Sequence, residues 1–174
     1  AVDFGEDWFK ALQDEMHEPG QMHRKLWEFC VIAQAVKERM RPGDKAIGFG
    51  VGHEPLPSLF AKWGIDTLAT DAPEGGEWAK SMQHVDGKEA LFRMWCPEEN
   101  RDRYLRFTPW DMNSEMHNLP KFRFIWSSSA CEHLGGLGET IRFLVASSQR
   151  LTEDGIALHT TEASLTERGF HSHN

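Results

Sequence analysis

Three groups of residues in this chain have types and spacings that suit the handling of a nucleoside. The first is Gly48-Phe49-Gly50-Val51-Gly52-His53-Glu54, set between a predicted strand and a predicted helix. Glycines there let the backbone turn tightly and leave room for a ligand, while the helix that follows points unpaired N–H groups at it. The second is Asp71, nineteen residues after Gly52 at the end of the next predicted strand. A carboxylate in that place can accept hydrogen bonds from ribose hydroxyls. The third is Asp111, which follows the third predicted strand and can accept from an exocyclic amino group of adenine. Each has a plainer reading: a glycine-bearing βα turn, a turn aspartate and a capping aspartate. Their succession at three strand ends favours the nucleoside.

The glycine spacing then separates two nucleoside cofactors. A dinucleotide fingerprint requires G-x-G-x-x-G. Counted from Gly48 its last position falls on His53, and counted from Gly50 it falls on Pro55, so both registers fail. G-x-G without the third glycine, joined to an acid after the third strand, fits S-adenosylmethionine better.

The elements that would hold these residues can be read from periodicity. Trp8, Phe9, Leu12 and Met16 give a helix over 6–17, and Leu26, Phe29, Cys30, Ala33, Val36 and Met40 give a second over about 22–40. Strands are expected at 45–50, 65–70, 104–107, 122–127 and 156–160. Helices are expected at 54–63, where Pro55 and Pro57 lie in the first turn, at 87–95 and at about 137–150. Thr152-Glu153-Asp154-Gly155 reads as a turn before the fifth strand. Alternation of strand and helix predicts an α/β fold: a Rossmann-like, doubly wound sheet of about five parallel strands with helices on both faces and an N-terminal helical extension. The expected divisions are helices over 1–40, a cofactor-binding domain over 41–166 and a polar tail over 167–174.

Composition narrows the partners. Net charge is −8, with 27 acidic against 19 basic residues. The basic residues are scattered apart from Arg101, Arg103 and Arg106, which disfavours a nucleic-acid partner. Cys30, Cys96 and Cys131 form no CxxC pair and suit reduced thiols in the cytoplasm. Neither a secretion signal nor a membrane anchor is evident.

On these residues the chain resembles class I S-adenosylmethionine-dependent methyltransferases from roughly Met22 to Glu162. The likeness is to a bacterial branch that acts on small molecules and glycans. It is carried by His23-Arg24-Lys25-Leu26-Trp27-Glu28, the glycine turn through Pro55-Leu56, Ala69-Thr70-Asp71, Trp126 to Gly135, and His159-Thr160-Thr161-Glu162. The resemblance implies that Gly48, Gly50 and Gly52 lie against the methionine part of the cofactor, Asp71 on the ribose and Asp111 with Met112 around the adenine. Ser127 and Ser128 would face the sulfonium and the acceptor. The family usually opens the glycine motif with an acid, where this chain has Gly48; that leaves the cofactor's amino group to Glu54 or to water. It also has two further strands beside the fifth. The edge of strand five is therefore expected to meet additional chain or a second subunit, a route to a homo-oligomer.

Methyl transfer to a hydroxyl requires alignment and removal of a proton. His133, in Cys131-Glu132-His133-Leu134, is the base expected from position, with helix capping as the alternative. His53 reads as a wall of the cofactor site. His159 to Glu162 suit either an acceptor pocket or a buried strand-end network, and Arg24, Trp27 and Glu28 either a lid or core. His171 and His173 belong to the tail, and no metal site is expected. Amino-methylating enzymes that act on nucleobases carry an Asp/Asn-Pro-Pro-aromatic turn after the fourth strand, where this chain has Ser127-Ser128-Ser129-Ala130. The expected activity is O-methylation of a small metabolite or sugar. A non-catalytic module of the same fold and an NAD(P)-dependent oxidoreductase are the alternatives.

Overall fold

A computed structural model describes residues 2–74 and 84–162. Five strands, β1 (Lys45–Phe49), β2 (Asp66–Asp71), β3 (Leu105–Pro109), β4 (Phe122–Ser128) and β5 (Leu151–Thr160), form one parallel sheet in the order β3-β2-β1-β4-β5. Strand β1 lies in the middle, with Ile47 opposite Leu68 of β2 on one side and Ile125 of β4 on the other. Every residue of β4 and all but the first of β1 are buried, the pattern of strands covered on both faces.

Alternation within those strands feeds two cores. Ala46, Phe124 and Trp126 join one, and Ile47, Phe49 and Ile125 the other. The first core receives α1 (Asp7–Glu15), α2 (Arg24–Lys37) and α3 (Leu56–Lys62) through Phe9, Leu26, Cys30, Ala33, Val36, Leu59 and Phe60. The second receives α5 (Leu137–Ser148) through Phe143. The N-terminal helices thus share a core with the sheet. The side chain of His23 caps α2 by accepting from the Leu26 N–H at 3.2 Å. Trp63, after α3, donates to Glu15 of α1 at 2.6 Å.

Two sequence expectations change. The helix expected at 87–95 is a single 3-10 turn, Lys88–Leu91, and an unanticipated α4 spans Glu98–Tyr104. Helix α4 has no buried residue, so it carries no apolar period to read. It is tied to the end of α3 by Asn100, whose side-chain amide donates to the carbonyls of Ala61 and Lys62. The turn expected at 152–155 lies inside β5. Phe122 pairs with Leu151 and Phe124 with Ile156, so the extra residues of β5 bulge out while pairing continues on both sides.

Strand β5 is one edge of the sheet. On nearby α5, Leu137, Ile141 and Val145 are 65%, 51% and 52% exposed, one stripe at four-residue spacing. Among the described residues no helix is long and apolar enough to cross a membrane. The strand order reverses between β1 and β4, and in open parallel sheets that reversal leaves a crevice beyond the strand ends.

Candidate functional site

That crevice holds a cavity of about 380 Å³, bounded by the ends of β1, β2 and β4, the loop after β3 and the side of α2. The glycine turn makes one wall. Gly50 and Gly52 have φ of 62° and 48°, in the left-handed region where a side chain is strained. A Cβ on Gly50 would lie 2.8 Å from the Ala130 Cβ and 3.3 Å from the Met112 sulfur, atoms of two residues that also line the cavity. The turn is pinned to β2, where Val51 N–H donates to the Thr70 carbonyl at 3.0 Å.

Asp71 ends β2, buried, and lines the cavity. Its two carboxylate oxygens accept from the backbone N–H groups of Ala72 and Val85, at 2.8 and 3.1 Å, which fixes the carboxylate and leaves lone pairs for a ligand. Asp111 and Met112 also line it. Asp111 is exposed and accepts from Asn113 N–H at 2.8 Å, the turn-stabilising bond of an aspartate followed by a tight turn. Ser128, His133 and His53 line it as well.

Two residues expected at the cofactor stand outside the wall. Gly48 is covered by Trp126: a Cβ there would overlap the indole and sit 2.7 Å from Val51 Cγ1. No side chain, and so no acid, fits at this position. The indole fills the space, and its N–H donates to Glu54, so the carboxylate reaches this region from the start of α3 instead. Glu54 lines the cavity yet is only 5% exposed. Burial pushes its pKa up to about 8, against the opposing effects of the Trp126 N–H and the Lys25 charge.

Ser127 is the second. It is fully buried and its hydroxyl lies 2.8 Å from His159 Nδ1, turned away from the cavity. Burial pulls His159 down to about 4, leaving it neutral near pH 7. Thr160 and Glu162 are likewise engaged in a strand-end network whose hub is Glu28 of α2. Glu28 Oε2 accepts from Ser128, Ser129 and Thr160 hydroxyls at 3.0, 2.8 and 2.8 Å. Arg24 pairs with its other oxygen at 2.8 Å and with Glu162 at 2.6 Å. Burial raises the Glu28 pKa, and the three hydroxyls with Lys25 outweigh it, so the net direction is down. This network holds α2 across the ends of β4 and β5.

Lys25, Phe29, His84 and Trp110 also line the cavity and were not singled out by sequence for that place. Lys25 Nζ donates to the Ser128 carbonyl at 3.0 Å. Trp110 is adjacent to Asp111, which was the available signal; His84 lies in an irregular stretch that offers none. Among the described residues no group of three or more His, Cys, Asp or Glu could hold a metal ion. His171 and His173 lie outside the described residues.

No family model matches the chain, and no curated protein does. Solved structures do. A glycopeptide N-methyltransferase, MtfA, complexed with S-adenosyl-L-methionine superposes with a TM-score of 0.55 at 14% identity over 76% of this chain and 53% of that one. An S-adenosylmethionine-dependent methyltransferase from Clostridium acetobutylicum gives 0.51 at 17% identity, covering 86% and 54%. The CcbJ methyltransferase from Streptomyces caelestis gives 0.53 at 12%, covering 75% and 49%. The chain has the fold of these methyltransferases and spans about half their length. A turn with no room for a side chain at Gly50, a fixed acid at Asp71 and a second acid at Asp111 give the cavity groups that could meet a nucleoside ligand.

Proposed function

We propose that this cavity binds S-adenosylmethionine and that the protein transfers its methyl group to a hydroxyl of a small metabolite or sugar. One observation carries the reading. The glycine turn, Asp71, Asp111, Met112 and Ser128, far apart in sequence, line one cavity at the strand-order reversal. Solved methyltransferases of the same fold, one of them complexed with S-adenosyl-L-methionine, support it.

In this reading Asp71 accepts from the ribose, and Asp111 with Met112 flanks the adenine. Glu54 faces the amino group of the methionine part, in place of the acid that Trp126 displaces. When bound, the cofactor would supply a methyl group activated by a sulfonium. His133 would take the acceptor's hydroxyl proton at an imidazole nitrogen. The serine-rich turn after β4 and the net charge of −8 favour a small acceptor over nucleic acid.

A binding module without catalysis is the second reading. It is favoured by the Ser128 and Ser129 hydroxyls, which both donate to Glu28, leaving His133 to act on an acceptor without them. Transfer of a radiolabelled methyl group from S-adenosylmethionine to a panel of sugars and hydroxylated metabolites separates the two. The enzyme reading expects transfer that falls at least a hundredfold in His133→Ala with cofactor affinity kept, in line with the usual contribution of a general base. Cofactor binding with no transfer to any acceptor would leave the module.

A further inference from the structure

The described residues contain seven buried side-chain nitrogen or oxygen atoms with no hydrogen-bond partner, and three of them belong to residues that line the cavity: both ring nitrogens of His84 and the indole Nε1 of Trp110. Buried polar atoms are almost always satisfied by protein, water or ligand, so orphans on residues of a cavity wall point to a bound partner. The His84 side chain is only 9% exposed, which leaves bulk water little access to it. Its Nδ1 lies 3.7 Å from Asp71 Oδ2, too far for a hydrogen bond and wide enough for one oxygen to bridge the two. Asp71 cannot close the gap, because Ala72 and Val85 N–H groups hold its carboxylate in place.

We infer that His84 is a ribose-reading residue, donating from Nδ1 to a sugar hydroxyl that itself donates to Asp71. The inference rests on the nucleoside reading of the cavity and assigns to it a residue that neither spacing nor resemblance identified. The chemistry of the two groups fits a hydroxyl between them. A carboxylate only accepts, a neutral imidazole offers one donor and one acceptor, and a hydroxyl both donates and accepts. A hydroxyl is therefore the group that satisfies Asp71 and His84 together. Remove it, and the imidazole N–H is left buried and unpaired, so the site selects nucleosides that carry the free hydroxyl. An ether or a phosphate ester at that oxygen would lack the proton for Asp71, and the ester would bring its negative charge against the carboxylate.

The test uses calorimetry with S-adenosylhomocysteine and its 2′-deoxy and 3′-deoxy counterparts on the unaltered protein, on His84→Phe and on His84→Gln. Circular dichroism confirms that each variant is folded. The expected result is that S-adenosylhomocysteine binds His84→Phe roughly tenfold more weakly than the unaltered protein. One of the two deoxy compounds should lose affinity for the unaltered protein, and that loss should shrink in His84→Phe, because the two changes remove the same bond. His84→Gln, which keeps a donor, should recover part of the affinity; it also carries the test if the Phe variant does not fold. Equal affinity of S-adenosylhomocysteine for all three proteins, or deoxy penalties unchanged in the variants, overturns the assignment of His84 alone. Failure of the unaltered protein to bind S-adenosylhomocysteine overturns the cofactor reading and this inference with it.

Discussion

Glu54 offers the most quantitative consequence of the site. Its carboxyl is buried against the Trp126 indole and pushed up to about 8, so near pH 7 the free protein holds it mostly protonated. The charged and titratable groups that act on it are Lys25, Asp71 and Glu28. Near pH 7 the separated partners hold close to two protons, one on Glu54 and one on the ligand's amino group, which as part of a free amino acid titrates above a peptide N-terminus. If Glu54 pairs with the ammonium group of the ligand, the complex keeps one of them, so binding releases close to one proton. Affinity for S-adenosylhomocysteine therefore rises from pH 6 to pH 8 as Glu54 ionises. The sign of the stability effect follows from the raised pKa. The native state keeps the proton while the unfolded chain loses it above about 4.5, so stability declines as pH rises toward 8, by roughly 3 kcal/mol between pH 5 and pH 8. Glu54→Gln keeps an acceptor for Trp126 and removes the titration. Calorimetry in buffers of different ionisation heat, with denaturant unfolding at both pH values, reads all three effects. A Glu54→Gln protein with the pH profile and proton release of the unaltered chain would refute the pairing.

Asp71→Ala should weaken S-adenosylhomocysteine by about 1.5–3 kcal/mol, measured by calorimetry on folded protein; unchanged affinity would remove Asp71 from the site. Gly48→Asp, which puts an acid at the opening of the glycine turn, should be strongly destabilising because Trp126 occupies the space, and denaturant midpoints will show it. Pairing that substitution with Trp126→Leu should recover much of the loss. The β5 edge and the Leu137, Ile141 and Val145 stripe predict self-association in light scattering, reduced in an Ile141→Lys, Val145→Lys double variant. A monodisperse monomer for the unaltered chain would contradict that.

Much of this architecture could be read from residue patterns because its central strands are apolar runs and its helices carry apolar faces. Ala46 to Phe49 and Phe122 to Trp126 announce a sheet covered on both sides, and Leu26, Cys30, Ala33 and Val36 announce α2. Helix α4 stayed hidden because it buries nothing, and the break at 152–155 was read as a turn because a bulge uses the same residue types. Spacing points to Asp71, which ends β2, and to Asp111, two residues after β3, and both line the cavity. The site was not legible where two distant residues decide together. Gly48 reads as a ligand-facing glycine until Trp126, on the neighbouring strand, is seen to fill its space. Ser127 reads as a strand-end hydroxyl until His159 of β5 is found beside it. Glu28 reads as part of a lid or of the core until three hydroxyls from the ends of β4 and β5 are found to converge on it.

The most direct test of the account is a titration of the unaltered protein with S-adenosylhomocysteine and, separately, with NAD. Saturable binding of S-adenosylhomocysteine at one site per chain is expected, lost or sharply weakened in Gly50→Ala, whose new methyl group would press on Ala130 and Met112 and strain a left-handed backbone. No measurable binding of NAD is expected. Binding of NAD in preference to S-adenosylhomocysteine, or of neither, would contradict it.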